Sequence, residues 1–141
     1  RTLRTAPSLR TARRVHDRAI RPRALGLDRS AFLSVSLTAP PAVLRNMERG
    51  LLLCAQGKAG KGLRPNTRRW ARHLVDGGEL SYARAVEMRA WFARFRYNGP
   101  AARSRATRPE GPAMVSWLLR GGDPGDAWAR DVADYLIPLE D

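Results

Sequence analysis

One cysteine, Cys54, and two histidines, His16 and His73, are the only soft metal-ligating side chains in a chain of 141 residues. A lone thiol cannot form an internal disulfide framework, and one thiol with two imidazoles does not complete a structural zinc cluster. Lysine is as scarce: Lys58 and Lys61 are the only two, and the rest of the 26 basic residues are arginine. Long apolar runs are missing too. None approaches the ~18 to 20 residues of a membrane span, and the first residues hold no apolar core resembling a signal peptide. These gaps lead us to expect a soluble protein from a reducing compartment, or from one in which thiols play no part. A start at Arg1 instead of Met suits a trimmed or processed chain.

What is present is positive charge, formally +13, and its distribution is uneven. Residues 1–37 carry nine arginines against Asp17 and Asp28. Residues 121–141 carry only Arg130 against Asp123, Asp126, Asp131, Asp134, Glu140 and Asp141. A chain basic through most of its length and acidic at its end calls for a polyanionic partner, nucleic acid first, or an acidic protein surface.

Apolar spacing predicts an all-α fold, a compact bundle of about five helices preceded by an extended basic arm. The arm is residues 1–37 and the helical domain residues 38–141. Pro7 and Pro22 break the arm, a thin stripe (Leu9, Ala12, Val15, Ala19) suits a short helix over 8–20, and alternation over 31–37 suits an extended segment. We expect the arm to dock on a partner through Arg4, Arg10, Arg13, Arg14, Arg18, Phe32 and Val35.

Within the domain, Leu44, Met47, Leu51 and Cys54 mark a helix over 41–56, with Leu52 and Leu53 widening its buried face. The stretch GKAGKGLRP (57–65) has the glycines and lysines of a phosphate-cradling loop. It lacks the preceding strand and the GxxxxGK[ST] order of a nucleotide-hydrolysing loop, so it reads as a flexible basic loop. Asn66 is the expected cap of a second helix with Trp70, Ala71, Leu74 and Val75 inward. Ser81 is the expected cap of a third helix over 82–97, with Ala85, Met88, Phe92 and Phe95 as its stripe and Trp91 beside them. Residues 98–112 read as a polar loop, and 113–120 as a short fourth helix.

The closing stretch WLLRGGDPGDAWARDVADYLIP (117–138) contains a helix end, a turn and a helix start. Gly121 and Gly122 suit the left-handed conformation that ends a helix, Asp123 an N-cap, Pro124 the first helical position, and Asp126 the first turn. Trp117, Gly121, Gly122, Asp123, Gly125 and Trp128 form the structural motif, a corner held by two indoles. Ala127, Trp128, Val132, Tyr135 and Leu136 are expected inward, with Asp131 and Asp134 outward.

Lys58, Lys61, Arg64, Arg68, Arg69 and Arg72 fall in a stretch free of acidic residues and are the first candidates for phosphate contact, with Arg103 and Arg105 of the polar loop as further ones. No metal site, cofactor, small-molecule substrate or catalytic constellation is expected: Cys54 sits on an apolar stripe, and His73 has no nucleophile motif to pair with.

Three stretches, RGLLLCAQGKAGKG (49–62), WARHLVDGGELSYARAVEMRAWFARF (70–95) and AMVSWLLRGGDPGDAWA (113–129), together resemble a small helical domain of tailed-bacteriophage virion and head proteins. The likeness covers about residues 40–137 and is most specific in the GGDxGxxW corner. The sequence departs from the pattern at Phe95, where the pattern has His, at Arg120, where it has Trp, and at Asp126, where it has Arg. The resemblance implies a structural virion protein, in the virion and in the host cytoplasm during assembly, docking on capsid or head subunits and touching double-stranded DNA. A free DNA-binding regulator is the alternative reading.

Overall fold

Pro41 occupies the first turn of helix α1 (Pro41–Ala55), where a missing N–H costs nothing, and Pro40 precedes it in extended conformation. The computed structural model describes residues 20–22 and 36–138, with side chains over 36–135. The expected helix over 8–20 and segment over 31–37 lie almost wholly outside the described residues. Helix α1 buries Val43, Met47, Gly50, Leu51, Leu53 and Cys54. Leu52, expected to widen that face, is 51% exposed, and Leu44 is only half-buried. The buried face is rotated because it is centred on Gly50, which a count of apolar residues passes over. A Cβ at Gly50 would lie 2.9 Å from the Leu119 backbone nitrogen, so this glycine sets how closely α1 can approach the helix that carries Leu119.

Helix α2 (Pro65–Val75) starts one turn position earlier than expected, with Arg64 rather than Asn66 at the cap and Pro65 opening the helix. Proline's fixed φ does the work that a capping side chain would do. Ala71 and Leu74 are buried as the stripe requires, with Thr67 beside them. Helix α3 (Tyr82–Arg96) begins where Ser81 accepts a hydrogen bond from the Arg84 backbone N–H, and buries Ala85, Met88 and Phe92.

The expected loop over 98–112 contains a helix, α4 (Gly99–Thr107). Tyr97 closes the previous helix and Asn98 caps the next, its side chain accepting from the Ala101 N–H at 2.9 Å. The missing signal is the absence of an apolar stripe: α4 buries no residue fully. Helix α5 (Pro112–Leu119) buries Val115, Trp117 and Leu119. Six helices are thus seen among the described residues, and the fold is all-α. A small antiparallel pair lies at the edge, β1 (Ile20–Pro22) against β2 (Leu136–Pro138), with Arg21 opposite Ile137.

The corner before α6 (Gly122–Tyr135) differs from expectation in detail. Gly121 and Gly122 have φ of 99° and 66°, the left-handed region glycine tolerates. The helix begins at Gly122, so Asp123 is inside its first turn and not its cap, and Pro124 is not the first helical residue. The Asp123 carboxylate instead accepts from the Trp117 indole N–H at 2.9 Å. Gly125 lies against the Arg120 carbonyl oxygen, leaving no room for a Cβ. The indoles do not clasp each other. Trp117 meets Phe92 edge-on with centroids 4.9 Å apart, whereas the Trp128 N–H donates to the Ser36 carbonyl at 2.7 Å. Asn46 of α1 ties the corner down by donating to the Gly121 carbonyl at 2.8 Å.

The bundle packs α1 chiefly on α5 and α2, and α3 on α6. Ala127, expected inward, is exposed, and Ala129 and Ala133 fill that role. Asp126 was assigned to the helix dipole, but it is buried and accepts two hydrogen bonds from the Arg96 guanidinium, at 2.5 and 2.8 Å. Asp134 is half-buried and ion-paired to Arg89, so only Asp131 keeps the outward position expected of both. Ser36 and Leu37 belong to the packed body: the Leu80 N–H donates to the Leu37 carbonyl, and Thr38 bridges to Glu79.

Candidate nucleic-acid interface

The 57–65 loop is shaped by Gly57 and Gly60, whose φ values of 80° and 78° turn the chain back on itself between α1 and α2. Its two lysines part company. Lys61 is exposed, but Lys58 is ion-paired to Glu110, which also takes Arg49 at 3.0 Å. The Lys58 ammonium beside it holds the Glu110 carboxyl below its ordinary range. Lys58 therefore straps the α1 end to the α4–α5 turn through an exposed pair, and a phosphate would compete with Glu110 for it.

Arg68, Arg69 and Arg72 remain together. They are exposed on α2 and, with Ala59, Gly60, Leu63 and Pro65, line an open depression of about 400 Å³ that contains no carboxylate. None of the three forms an ion pair among the described residues. Their spacing along one helix allows each to reach a separate phosphate.

Arg103 is exposed on α4. Arg105, expected in a mobile loop, is turned inward: its guanidinium lies 3.8 Å over the Trp117 ring and donates to the Phe95 carbonyl at 3.3 Å. Burial pushes its pKa below the usual arginine range. It does not join the α2 face, because a helical turn carries it to the other side of α4 from solvent. The arm candidates Arg4, Arg10, Arg13, Arg14, Arg18, Phe32 and Val35 lie outside the described residues.

Arg64 separates from Arg68 and Arg72. It lines a second, deeper cleft of about 750 Å³, where it meets Arg84, Arg94, Arg105 and Arg120 around Trp91 and Phe95, with Glu87 the one carboxylate. The sequence carried a signal for this cleft that went unused: Arg84, Glu87, Trp91 and Arg94 recur at helical spacing on α3. Arg120 was beyond reach, since it ends α5 inside a motif that reads as purely structural. Its guanidinium lies 3.8 Å over the Trp91 ring and donates to the Ser116 carbonyl at 3.0 Å and to the Thr67 hydroxyl at 3.4 Å. Burial, followed by repulsion from Arg84 and Arg94, lowers its pKa to about 10, so it keeps its proton at neutral pH.

Chemistry beyond binding finds little to work with. Cys54 is buried, and desolvation raises its thiol pKa. The His73 ring lies edge-on to Trp70 and within 3.3 Å of the Glu79 carbonyl. No group of three or more metal-ligating side chains converges among the described residues. No protein-family model, curated protein or solved structure matches this chain.

Proposed function

We propose that this chain is a structural, non-enzymatic virion protein of a tailed bacteriophage that lays the arginine face of α2 on packaged double-stranded DNA. Its basic N-terminal segment docks on neighbouring capsid or head subunits. The observation that carries the DNA contact is the grouping of Arg68, Arg69 and Arg72 around one open depression, with no carboxylate lining it. Arginine suits the task because its planar guanidinium stays charged and can grip a phosphate with two N–H groups. The virion context is supported by the resemblance in the GGDPGDAW corner. A free helix-turn-helix regulator is less well supported. The helix after that corner carries Asp123, Asp126, Asp131 and Asp134, the wrong sign for entering a groove.

The test is binding of the intact chain to a DNA duplex across a salt series. Each phosphate contact contributes about 0.9 to the slope of log affinity against log salt, so the triple variant Arg68→Gln, Arg69→Gln, Arg72→Gln should flatten the slope by about 2.7. An unchanged slope would overturn the assignment of this face. The virion role predicts stoichiometric recovery of the protein in purified particles.

A further inference from the structure

The deeper cleft has a property the α2 face lacks: four of its five guanidinium groups lie over aromatic rings, and only Arg84 also meets a carboxylate. Arg84 lies over Trp70 at 5.1 Å, Arg94 over Phe95 at 5.0 Å, Arg105 over Trp117 at 3.8 Å and Arg120 over Trp91 at 3.8 Å. Stacking of this kind fixes the plane of a guanidinium while leaving its N–H edge free. The donors are accordingly underused. Arg120 donates from its two terminal nitrogens only, Arg105 makes one hydrogen bond, and Arg94 makes none to another side chain or carbonyl among the described residues. Arg84 is ion-paired to Glu87 at 3.1 Å, yet its Nε is buried without a partner. Five cations gathered around one carboxylate repel one another, and burial strips water from two of them, Arg105 and Arg120. Such an arrangement is stabilised when an anion enters.

The size and lining of the cleft narrow the anion. A volume of about 750 Å³ falls within the range of small-molecule sites and is far more than an inorganic phosphate fills. The N-terminal turn of α2 opens into it at Asn66 and Thr67, with no acidic residue in that turn, so the helix dipole adds to the arginines. Trp91, Phe95, Leu63 and Met88 supply an apolar and aromatic side. The Arg120 guanidinium already covers the Trp91 ring, so a planar base on that side would stack on the outer face of the guanidinium.

We propose that the cleft between α2, α3, α4 and α5 is a binding site for a nucleoside phosphate, the phosphate held by Arg64, Arg94 and Arg120 at the α2 N-terminus and the base against the Trp91 side. The ligand is either a free nucleotide or one nucleotide of a single strand, since both present the same chemistry. This site is separate from the Arg68, Arg69 and Arg72 face, and the proposal stands whether or not that face touches duplex DNA.

The experiment is titration of the intact chain with ATP, adenosine, sodium tripolyphosphate and an octathymidylate single strand, followed by calorimetry and by the emission of the tryptophans. Because a base stack is worth about 1–3 kcal/mol, ATP should bind roughly tenfold or more tightly than tripolyphosphate. Arg64 and Arg94 are exposed and in no ion pair among the described residues, so the double variant Arg64→Gln, Arg94→Gln should keep the fold. Losing two charge-assisted hydrogen bonds should weaken ATP at least about tenfold. The pair Arg68→Gln, Arg72→Gln should leave ATP affinity within about twofold, being outside the cleft. Tighter binding of the octathymidylate than of ATP, lost in the same cleft variant, identifies a strand as the source; the reverse order identifies a free nucleotide. The proposal is overturned if ATP binds no better than tripolyphosphate, if the cleft variant binds ATP as the parent does, or if the outer-face variant loses as much.

Discussion

At the scale of single residues, two buried carboxylates have opposite circumstances. Asp126 is 8% exposed in its side chain and is met by one edge of the Arg96 guanidinium, through Nε and Nη2, with Arg130 a further 3.4 Å contact. That pairing raises the Arg96 pKa, mainly through the hydrogen bond to Asp126. Removing one partner strands the other in a desolvated place, so Asp126→Ala should cost about 3 kcal/mol in urea unfolding. The double variant Asp126→Leu, Arg96→Met should recover most of that loss. Glu79 has no such partner. It is buried, its Oε2 accepts nothing among the described residues, and desolvation raises its pKa from 4.5 to about 7. The folded state therefore binds a proton more tightly than the unfolded state, and stability falls as pH rises from about 4.5 to about 7, then levels. Replacement by the neutral isostere, Glu79→Gln, should remove that slope and raise the melting temperature most above pH 7. A parent chain whose stability is flat over this interval would refute the assignment.

At the scale of elements, the GGDPG corner couples α5 to α6 by close approach. Ala129, Val132 and Ala133 bring α6 down onto the bundle, and Gly125 is the contact with no tolerance. Gly125→Ala pushes a methyl into the Arg120 carbonyl and should destabilise by more than about 3 kcal/mol, despite alanine's better helix propensity. At exposed Ala127, Ala→Gly should cost only about 1 kcal/mol, which makes it the control in the same thermal melts. The legibility of the fold follows the same division. Helices α1 and α3 were legible because Met47, Leu51 and Cys54, and Ala85, Met88 and Phe92, recur at core spacing and Ser81 is a strong cap. Helix α4 was not, because a helix that buries nothing fully has no hydrophobic period to read. In the site, Arg68, Arg69 and Arg72 were legible as a cluster along one helix. Arg105 and Arg120 were not, since charge alone does not show that a guanidinium will lie on Trp117 or Trp91.

At the scale of the whole molecule, charge is sorted rather than spread. Helix α3 separates two territories: Arg89 and Arg96 face α6 and neutralise Asp134 and Asp126, while Arg84 and Arg94 face the cleft. Asp126 and Asp134 are thereby paired on one side, while the α2 side stays cationic. The N-terminal segment is joined to this body at Ser36 and Leu37. A chain beginning at Ala39 loses the Trp128–Ser36 and Leu80–Leu37 hydrogen bonds and should be about 2 kcal/mol less stable than one beginning at Val35. Equal stabilities for the two truncations would show that Trp128 does not depend on Ser36. The pairing of α1 with α5 sets an order in time. Gly50 and Asn46 find their partners, Leu119 and Gly121, only after some seventy intervening residues have been made. On a ribosome adding about 5–20 residues per second, the first helix of the domain must wait several seconds for the surface that secures it. Helix α1 can meet α2 early, but its face around Gly50 stays open until α5 emerges, and until then that face is left for chaperones to cover.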